Sequence, residues 1–258
     1  MWFSCGVASA VAAKMTLEKY PNDDVRIVYN PVKEEDPDNL RFLAECERWF
    51  GHAVEIARST KYPAGSAVEV WDAVRFMSGP HGAPCTRELK KIARQEWEAK
   101  ARPDWHVLGF TADEKTRHER FVMSERDNVL PVLIAAGITK AQCYDIVRSA
   151  GVQVPLVYRM GYPNANCIGC VKATSATYWS LVREKHPDVF AKRAEQSRRL
   201  GARLVRYRGV RMFLDELPEG AKGRDLKSMN IDCGIFCEER PPEPPANDAH
   251  DAARKGEK

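Results

Sequence analysis

Short apolar runs alternate with helical patterns along the first 160 residues of the chain. Runs rich in β-branched and aromatic residues predict buried strands, and apolar residues spaced three and four apart predict helices between them. The predicted strands are Trp2–Cys5, Val25–Asn30, Ala53–Ala57 and Trp105–Phe110. The predicted helices are Ser9–Tyr20, Pro37–Phe50, Val68–Met77, Arg87–Lys100 and Thr139–Ala150. Thr139 is expected to cap the last of these helices, and Gly151 to end it. This alternation predicts an α/β fold with a mostly parallel sheet flanked by helices.

After Gly161 the pattern changes to a helical and hairpin extension. The helices are predicted at Ala176–His186 and Val189–Leu200, and the hairpin at Arg203–Tyr207 and Val210–Leu214, turning at Arg208-Gly209. From Glu238 the chain is proline-rich and charged, which predicts disorder. We therefore divide it into an α/β domain at 1–160, a cysteine-containing subregion at 161–237 and a tail at 238–258.

Length and composition fit one large domain with appendages, because 258 residues at 44% hydrophobic content can bury a substantial core. The formal charge of +4 suits a phosphate-bearing small molecule as well as a nucleic acid. No apolar run is long enough to span a membrane. The apolar start lacks a basic segment and breaks at Lys14, so no secretory signal is expected. A cytoplasmic location follows.

Eight cysteines are many for a protein in a reducing compartment, where metal or catalytic thiols explain them better than disulfides. Cys167 and Cys170 form a CxxC pair, and Cys233 and Cys237 form a CxxxC pair. Such spacings suit a tetrahedral zinc site and an iron–sulfur cluster about equally. The lone cysteines are expected to be small buried hydrophobes. They are Cys5, Cys46 and Cys143.

The segment Ser4-Cys5-Gly6-Val7-Ala8-Ser9 joins the first predicted strand to the first predicted helix. A tight turn at this point aims backbone N–H groups and a helix N-terminus at one spot, which indicates an anion site. The serine hydroxyls add two donors. The alternative is an ordinary strand-to-helix turn in which Gly6 only supplies a positive φ.

Two further stretches carry charge in patterns that allow two interpretations. Arg117 and Arg120 lie one helical turn apart and can converge on an anion, or they belong to a solvated loop with Asp113 and Glu114. Between Lys192 and Arg211, six arginines favour either nucleic-acid binding or a solvated helix and hairpin face. They are Arg198, Arg199, Arg203, Arg206, Arg208 and Arg211.

The loop, continued by Ala10-Val11, resembles the PP-loop of the phosphoadenosine-phosphosulfate reductase family. Val7 and Ala8 stand where ATP-cleaving PP-loop proteins carry Lys and Asp, and this departure points towards the reductases. The resemblance covers roughly residues 2–237 and implies a Rossmann-like sheet that binds an adenine nucleotide. It implies that Asn30 shapes the adenosine pocket. It also implies phosphate contacts from the stretch Asp113, Glu114, Arg117 and Arg120, where Thr111 replaces a usual Arg.

The cysteine segments resemble those of cluster-bearing members of the same family. Pro84–Lys90 and Asn166–Cys170 match the two segments that hold a [4Fe–4S] cluster there, with Pro84 in the place of one ligand. The resemblance implies Cys85, Cys167 and Cys170 as metal ligands. A fourth ligand would come from Cys143, Cys233 or Cys237.

The segment Asp232–Phe236 is similar to the C-terminal motif whose cysteine attacks the sulfate sulfur in these reductases, although Phe236 replaces the family's His. The resemblance thus implies an oxidoreductase acting on a sulfur group, with Cys233 as nucleophile. Thioredoxin, glutathione or Cys237 would then act as the thiol reductant that releases sulfite. Gly220 and Gly223 suggest a mobile arm that brings Cys233 to the loop.

Two alternatives stay open at this point. An ATP-dependent iron–sulfur enzyme that transfers sulfur to tRNA or DNA is favoured by the three-cysteine pattern and the arginines, and opposed by the missing Lys and Asp of the loop. The other alternative is a nucleotide-binding protein without catalytic activity. Iron analysis and the visible spectrum separate the enzymes from a protein with a zinc site.

Overall fold

The computed structural model describes residues 1–80 and 82–226. Cys233, Cys237 and the predicted tail at 238–258 lie outside the described residues. The described chain is a mixed α/β structure with small parallel sheets. None of its helices has the length and apolar character needed to cross a membrane.

A three-stranded parallel sheet forms from the first three predicted strands, in the order β1-β2-β3. These strands are β1 (Trp2–Phe3), β2 (Ile27–Tyr29) and β3 (Val54–Ile56). A second parallel pair contains β4 (His106–Val107) and β5 (Val129–Leu130). The pattern did not predict β5, because Pro131 interrupts the apolar run in which it lies.

The seven predicted helices occur in the predicted order, with ends shifted by a few residues, and three further helices were not predicted. They are α1 (Val7–Lys19), α2 (Asp38–Phe50), α3 (Ala67–Val74), α4 (Ile92–Ala101), α5 (Lys115–Ser124), α6 (Val132–Ala135), α7 (Lys140–Ser149), α8 (Leu156–Arg159), α9 (Ala176–Lys185) and α10 (Pro187–Arg199). The helix predicted at Arg87–Lys100 is divided, because Thr86–Lys91 is a π-helical segment that leads into α4. Thr139 caps α7 in a capping box, as predicted.

The predicted C-terminal hairpin is confirmed. Strands β6 (Val205–Tyr207) and β7 (Val210–Met212) pair antiparallel. Arg208 and Gly209 between them have φ values of 48° and 82°. Two-residue hairpin turns with positive φ match the right-handed twist of the strands, so the turn fixes the register.

Two large apolar cores hold the chain together. One packs β1, α1, α2 and α7 around Phe3, Val11 and Phe42, and it includes Cys46 and Cys143 as predicted. The other packs α3 with residues 162–221, around Trp71 and Trp179. The division drawn at residue 160 therefore does not separate the cores, because α3 belongs with the C-terminal subregion.

Contacts between β1 and β4 bring the two parallel sheets together. The Trp2 indole N–H donates to His106 Nδ1 at 3.1 Å. Beyond β4, Gly109 lies against the first turn of α1, and a Cβ on Gly109 would stand 2.8 Å from the Ser9 backbone nitrogen. The carboxyl ends of β1 and β4 therefore meet at the loop predicted to bind an anion.

Candidate functional site

The loop between β1 and α1 is closed by its own two serines. Ser9 Oγ accepts hydrogen bonds from the Ser4 backbone N–H and the Ser4 hydroxyl, both at 3.1 Å. It donates its own proton to the Gly6 carbonyl at 2.9 Å. Ser9 is buried and Ser4 is exposed. Ser9 therefore shapes the loop, and the Ser4 hydroxyl is the group that faces solvent.

The positive φ of this loop belongs to Cys5 (54°), while Gly6 has φ −101°. The idea that Gly6 supplies a positive φ is therefore wrong. Gly6 has a different role, because a Cβ on it would stand 3.1 Å from the Tyr158 hydroxyl. Tyr158 also hydrogen-bonds backbone at Val7 and Ala165, and its burial raises its pKa. The missing side chain of Gly6 lets this tyrosine approach the loop.

The N-terminus of α1 retains the features of an anion site. Gly6 caps the helix without a side-chain hydrogen bond, and its first turn has no acidic residue. The free N–H groups of a first turn carry partial positive charge, which favours an anion. Val7 is buried and Ala8 half-buried, so Ala8 and Ser4 form the accessible part of the loop.

Asn30 ties three segments together. Its side-chain amide donates to the Ala57 and Leu89 carbonyls, each at 2.8 Å. Its Oδ1 is buried and has no hydrogen-bond partner within the described chain. A buried acceptor of this kind costs stability unless something donates to it. Asn30 thus has both a structural role and one unused acceptor.

The Asp113–Arg120 stretch is held mainly by its own ion pairs and caps. Asp113 accepts from the Lys140 backbone N–H at 2.9 Å, at the start of α7. Glu114 bonds Thr111 and pairs with Arg117. Arg120 is exposed and donates to the Thr116 carbonyl of its own helix. Since Glu114 already neutralises Arg117, the structure does not present the two arginines as a shared anion clamp. The segment is helical, which also corrects the charged-loop alternative.

The three cysteines proposed as metal ligands line one small cavity of about 10 Å³. Cys85 comes from the start of the π-helical segment, and Cys167 and Cys170 from the loop before α9. Trp71 lines the same cavity, and its buried indole N–H has no acceptor among the described residues. Residues some eighty positions apart in the chain are therefore neighbours in space.

Hydrogen bonds to its backbone fix the shape of the CxxC loop. Ile168 N–H donates to the Glu34 carbonyl at 2.9 Å. The Tyr178 hydroxyl accepts from Cys170 N–H at 2.9 Å and donates to the Cys167 carbonyl at 3.3 Å. Gly169 has φ +70°, which turns the chain between the two cysteines. The backbone of both cysteines is thus held by hydrogen bonds to the buried Tyr178.

Within residues 1–80 and 82–226, no three His, Cys, Asp or Glu side chains converge as the ligands of one metal ion would. The three thiols instead surround a space. Zinc bound through Cys167, Cys170 and the CxxxC pair stays an alternative, since Cys233 and Cys237 are outside the described residues.

Basic side chains surround the cysteine cavity, and the sequence analysis did not identify them. Lys90 and Lys172 line it. Arg193 is buried, stacks over the Trp71 ring at 4.2 Å and interacts electrostatically with Cys85 and Cys167. Burial lowers the pKa of Arg193, and these neighbours oppose the shift. Positive charge beside a thiol favours the thiolate, which is the form that binds metal.

A buried polar network connects the loop to this cavity. Lys90 Nζ lies 3.5 Å from Glu35 Oε1, and the two side chains are 12% and 5% exposed. Glu35 also bonds the Tyr29 hydroxyl and the Asn39 amide. Burial raises the pKa of Glu35, and Lys90 opposes that shift. Lys90 therefore belongs both to the network and to the wall of the cavity.

Cys5 is the loop's member of the same network. Its thiol lies 3.6 Å from the Asn39 carbonyl, to which it donates. Burial, followed by the charge of Glu35, raises the Cys5 pKa well above its ordinary value. Cys5 is thus a neutral, buried thiol within the loop Ser4–Ser9, which we call the anion loop after the anion site predicted there, and it is unsuited to act as a nucleophile.

The proposed nucleophile Cys233 and its neighbour Cys237 lie outside the described residues. The chain leading towards them is hydrogen-bonded to the start of α9. Gly223 N–H donates to Thr177 at 2.8 Å, and Ser175 donates to the Arg224 carbonyl at 2.8 Å. Up to Leu226 the segment is therefore docked, in contrast to the detached arm suggested by Gly220 and Gly223.

Comparison with known proteins finds no match to this chain, either among protein-family models or among curated protein sequences. The resemblance described above therefore depends on the motifs themselves.

Proposed function

We propose that the protein is a sulfonucleotide reductase-like enzyme that binds an adenine nucleotide bearing phosphate or sulfate. The observation that carries this proposal is the Cys5–Asn39–Glu35–Lys90 network, which joins the anion loop to the three-cysteine cavity. An enzyme that handles sulfur on a nucleotide needs an anion site and a thiol-rich site side by side. The motifs that resemble the reductase family predict the same two sites.

We infer that the two parallel sheets form one sheet in the order 3-2-1-4-5. The Trp2–His106 hydrogen bond and the approach of Gly109 to Ser9 support this arrangement. In open parallel sheets, ligands bind beyond the carboxyl ends of the strands where the order reverses. In this arrangement that point lies between β1 and β4, at the loop Ser4–Ser9.

The phosphosulfate group would bind at the N-terminus of α1. The Ser4 hydroxyl would turn its proton from Ser9 Oγ to the anion and act as an additional donor. Ser9 acts indirectly, because its oxygen holds Ser4 in place. The unused Oδ1 of Asn30 is suited to accept a hydrogen bond from an adenine amino group. Arg117 would have to leave Glu114 to contact a phosphate, so we assign it a smaller role.

The side chains around the cysteine cavity suit a [4Fe–4S] cluster in their chemistry. The thiols are the ligands that such clusters use, and the unpartnered Trp71 N–H can donate to a sulfur. Cys85, Cys167 and Cys170 would hold the cluster. Cys143 belongs to the other core, and Cys233 is assigned as the nucleophile, so the fourth ligand would come from Cys237. A cluster bound there supplies delocalised charge and redox capacity beside the nucleotide. Lys90, Lys172 and Arg193 would offset its thiolates.

The reaction would use two thiols and no further electron donor. The Cys233 thiolate attacks the sulfate sulfur, the sulfur–oxygen bond to the nucleotide phosphate breaks, and an S-sulfocysteine forms. Thioredoxin or glutathione would supply the second thiol, which then attacks the Cys233 sulfur. Sulfite leaves with the bonding electrons, and the two thiols become a disulfide.

A second candidate function is ATP-dependent sulfur transfer to a nucleic acid. The observation that favours it is the set of three cysteines around a cavity, with basic side chains nearby. Val7 and Ala8 oppose it, because the loop lacks the charged pair of ATP-cleaving relatives. A nucleotide-binding protein without activity is the remaining alternative.

Mass spectrometry of the intact protein tests the proposal. Anaerobically purified protein is incubated with phosphoadenosine phosphosulfate and no reductant, and should gain the mass of one sulfonate on Cys233. Cys233→Ser should remove the adduct while adenosine 3′,5′-bisphosphate still binds, as measured by calorimetry. Pyrophosphate release from ATP without any adduct would support the transferase. If Cys233→Ser releases metal and the wild type forms no adduct, Cys233 is a metal ligand.

A further inference from the structure

We propose that the β6–β7 hairpin carries a nucleic-acid-binding surface, made by Arg203, Arg206, Arg208 and Arg211. This inference goes beyond the proposed function and does not depend on it. We call these four side chains the hairpin surface. All four are exposed.

The hairpin places two of these arginines directly opposite each other. Arg206 pairs with Arg211 in the antiparallel register. Val205 is buried beside the exposed Arg206, as expected for a strand with one packed face. Like charges opposite each other on one face destabilise a sheet. An anion bound between the two guanidiniums would remove that repulsion.

The six arginines identified in the sequence fall into two groups. Arg198 pairs with Asp215 and Glu216, and Arg199 pairs with Asp72. In contrast, no member of the hairpin surface has a carboxylate partner among residues 1–80 and 82–226. The α10 arginines are therefore neutralised locally, while the hairpin keeps its positive charge.

The contacts of the hairpin surface orient the side chains and leave donors available. Arg208 lies over the Tyr207 ring at 5.2 Å, and Arg203 lies near Phe213 at 5.4 Å. Arg211 Nη1 donates to the Leu204 carbonyl at 3.2 Å. A guanidinium has five N–H donors, so each retains several for a phosphate.

A nucleic acid is the partner that this surface fits. Four guanidiniums on one short hairpin match repeated phosphates better than a single anion. The neighbouring Val210 is 60% exposed and offers apolar surface to a base or sugar. The net charge is only +4, so binding would arise from this local concentration and not from the whole protein.

The hairpin is also attached firmly to the segment that follows the CxxC pair. Arg206 N–H donates to the Thr174 carbonyl at 2.8 Å, and Ser175 and Arg206 form a parallel bridge. Thr174 lies four residues beyond Cys170. The surface is therefore a fixed part of the fold, joined by a short stretch of chain to the cysteine cavity.

Fluorescence anisotropy with labelled single-stranded RNA, single-stranded DNA and duplex DNA of about 20 nucleotides tests the proposal. The full chain should bind at least one of them, with an affinity that falls steeply with salt. Arg206→Gln/Arg211→Gln should weaken binding by about tenfold or more. It should also reduce the slope of log affinity against log salt by about 1.5, since each lost phosphate contact contributes about 0.7–0.9.

The matched control is Arg198→Gln/Arg199→Gln, which removes the same formal charge from arginines that already have carboxylate partners. It should change affinity by less than about threefold, as expected for charges outside the contact. Thermal melts should show the hairpin variant to be at least as stable as the wild type, because a repulsive pair is gone.

Absence of binding to every oligonucleotide at low salt would overturn the proposal. Equal losses in both double variants would also overturn it, because net charge alone would then explain binding. Adenosine 3′,5′-bisphosphate titration of the hairpin variant keeps the two proposals apart. That variant should bind the nucleotide like the wild type, and a wild type that binds RNA or DNA but not the nucleotide would contradict only the proposed function.

Discussion

Gly109 and Ser9 approach each other so closely that a Cβ on Gly109 would stand 2.8 Å from the Ser9 backbone nitrogen and 3.0 Å from its Cα. The partner atoms are backbone at the start of α1, so they cannot rotate away. The end of β4 thereby sets the position of the anion loop.

We therefore expect Gly109→Ala to displace the loop. It should lower the free energy of unfolding by about 1–3 kcal/mol, as overpacking does, and weaken adenosine 3′,5′-bisphosphate binding. Urea denaturation and calorimetry measure the two effects. Gly79→Ala is the control, because its Cβ would meet only the end of the exposed Phe76 ring. Equal stability of both variants would argue against this role of Gly109.

Ser4 and Ser9 should respond differently to substitution. Ser4→Ala removes an exposed donor and should weaken nucleotide binding by about 1–3 kcal/mol, with little change in stability. Ser9→Ala removes the acceptor that holds Ser4 and the bond to Gly6, so both binding and stability should fall. Calorimetric titration with thermal melts separates these outcomes. Unchanged affinity in Ser4→Ala would exclude a direct contact with the anion.

The cysteine cavity predicts which thiols retain iron. Cys85→Ser, Cys167→Ser and Cys170→Ser should each lower the iron and sulfide content and the visible absorbance of anaerobically purified protein. Cys143→Ser should keep the iron, because that thiol is buried in the other core. A colourless wild type with one zinc ion would favour the tetrahedral alternative.

The Glu35–Lys90 pair should dominate stability at neutral pH. Lys90→Met leaves a buried carboxylate without its cation, which typically costs about 3–5 kcal/mol. Glu35 has a raised pKa when folded, so the protonated form is favoured at low pH. The loss of unfolding free energy in Lys90→Met should therefore grow as the pH rises above the ordinary pKa of a glutamate side chain. Adding Glu35→Gln to Lys90→Met should restore most of the stability at neutral pH, as measured in urea.

His106 should make the protein sensitive to mild acid. Burial, followed by the charge of Arg126, lowers its pKa from 6.5 to about 3. The unfolded chain binds the proton more readily between these values, so stability rises with pH across this window. From about pH 7.5 to 5.5, the wild type should lose about 1.4 kcal/mol through this group alone. In His106→Gln, the loss of unfolding free energy between these two pH values should be smaller by that amount. An unchanged loss would contradict the role assigned to His106.

The elements with strong local signals were predictable from the sequence. The alternation from Trp2 to Val54, the Thr139 cap and the Arg208-Gly209 turn each depend on neighbouring residues, and the structure confirms them. Helix α5 buries none of its residues, so it has no apolar pattern to detect.

Of the candidate site, only the cysteines could be predicted from the sequence. Cysteine spacing identified Cys167 and Cys170, and the family resemblance added Cys85. All three line one cavity. Lys172 and Arg193 reach that cavity through tertiary packing, and no local pattern marks them. The positive φ of Cys5 was missed because this conformation is rare outside glycine, asparagine and aspartate. The Glu35–Lys90 pair joins segments far apart in the chain, so its burial depends on the complete fold.

The protonated, enclosed state of Cys5 gives the anion loop resistance to oxidation. Peroxide and alkylating reagents attack accessible thiolates, and Cys5 is neither accessible nor ionised at neutral pH. Under the proposed function, in which other thiols pass through oxidised states, an accessible Cys5 thiolate would expose the anion loop to sulfenylation. Among the cysteines of residues 1–80 and 82–226, oxidative damage should therefore fall on the half-buried Cys85 and Cys167 before Cys5.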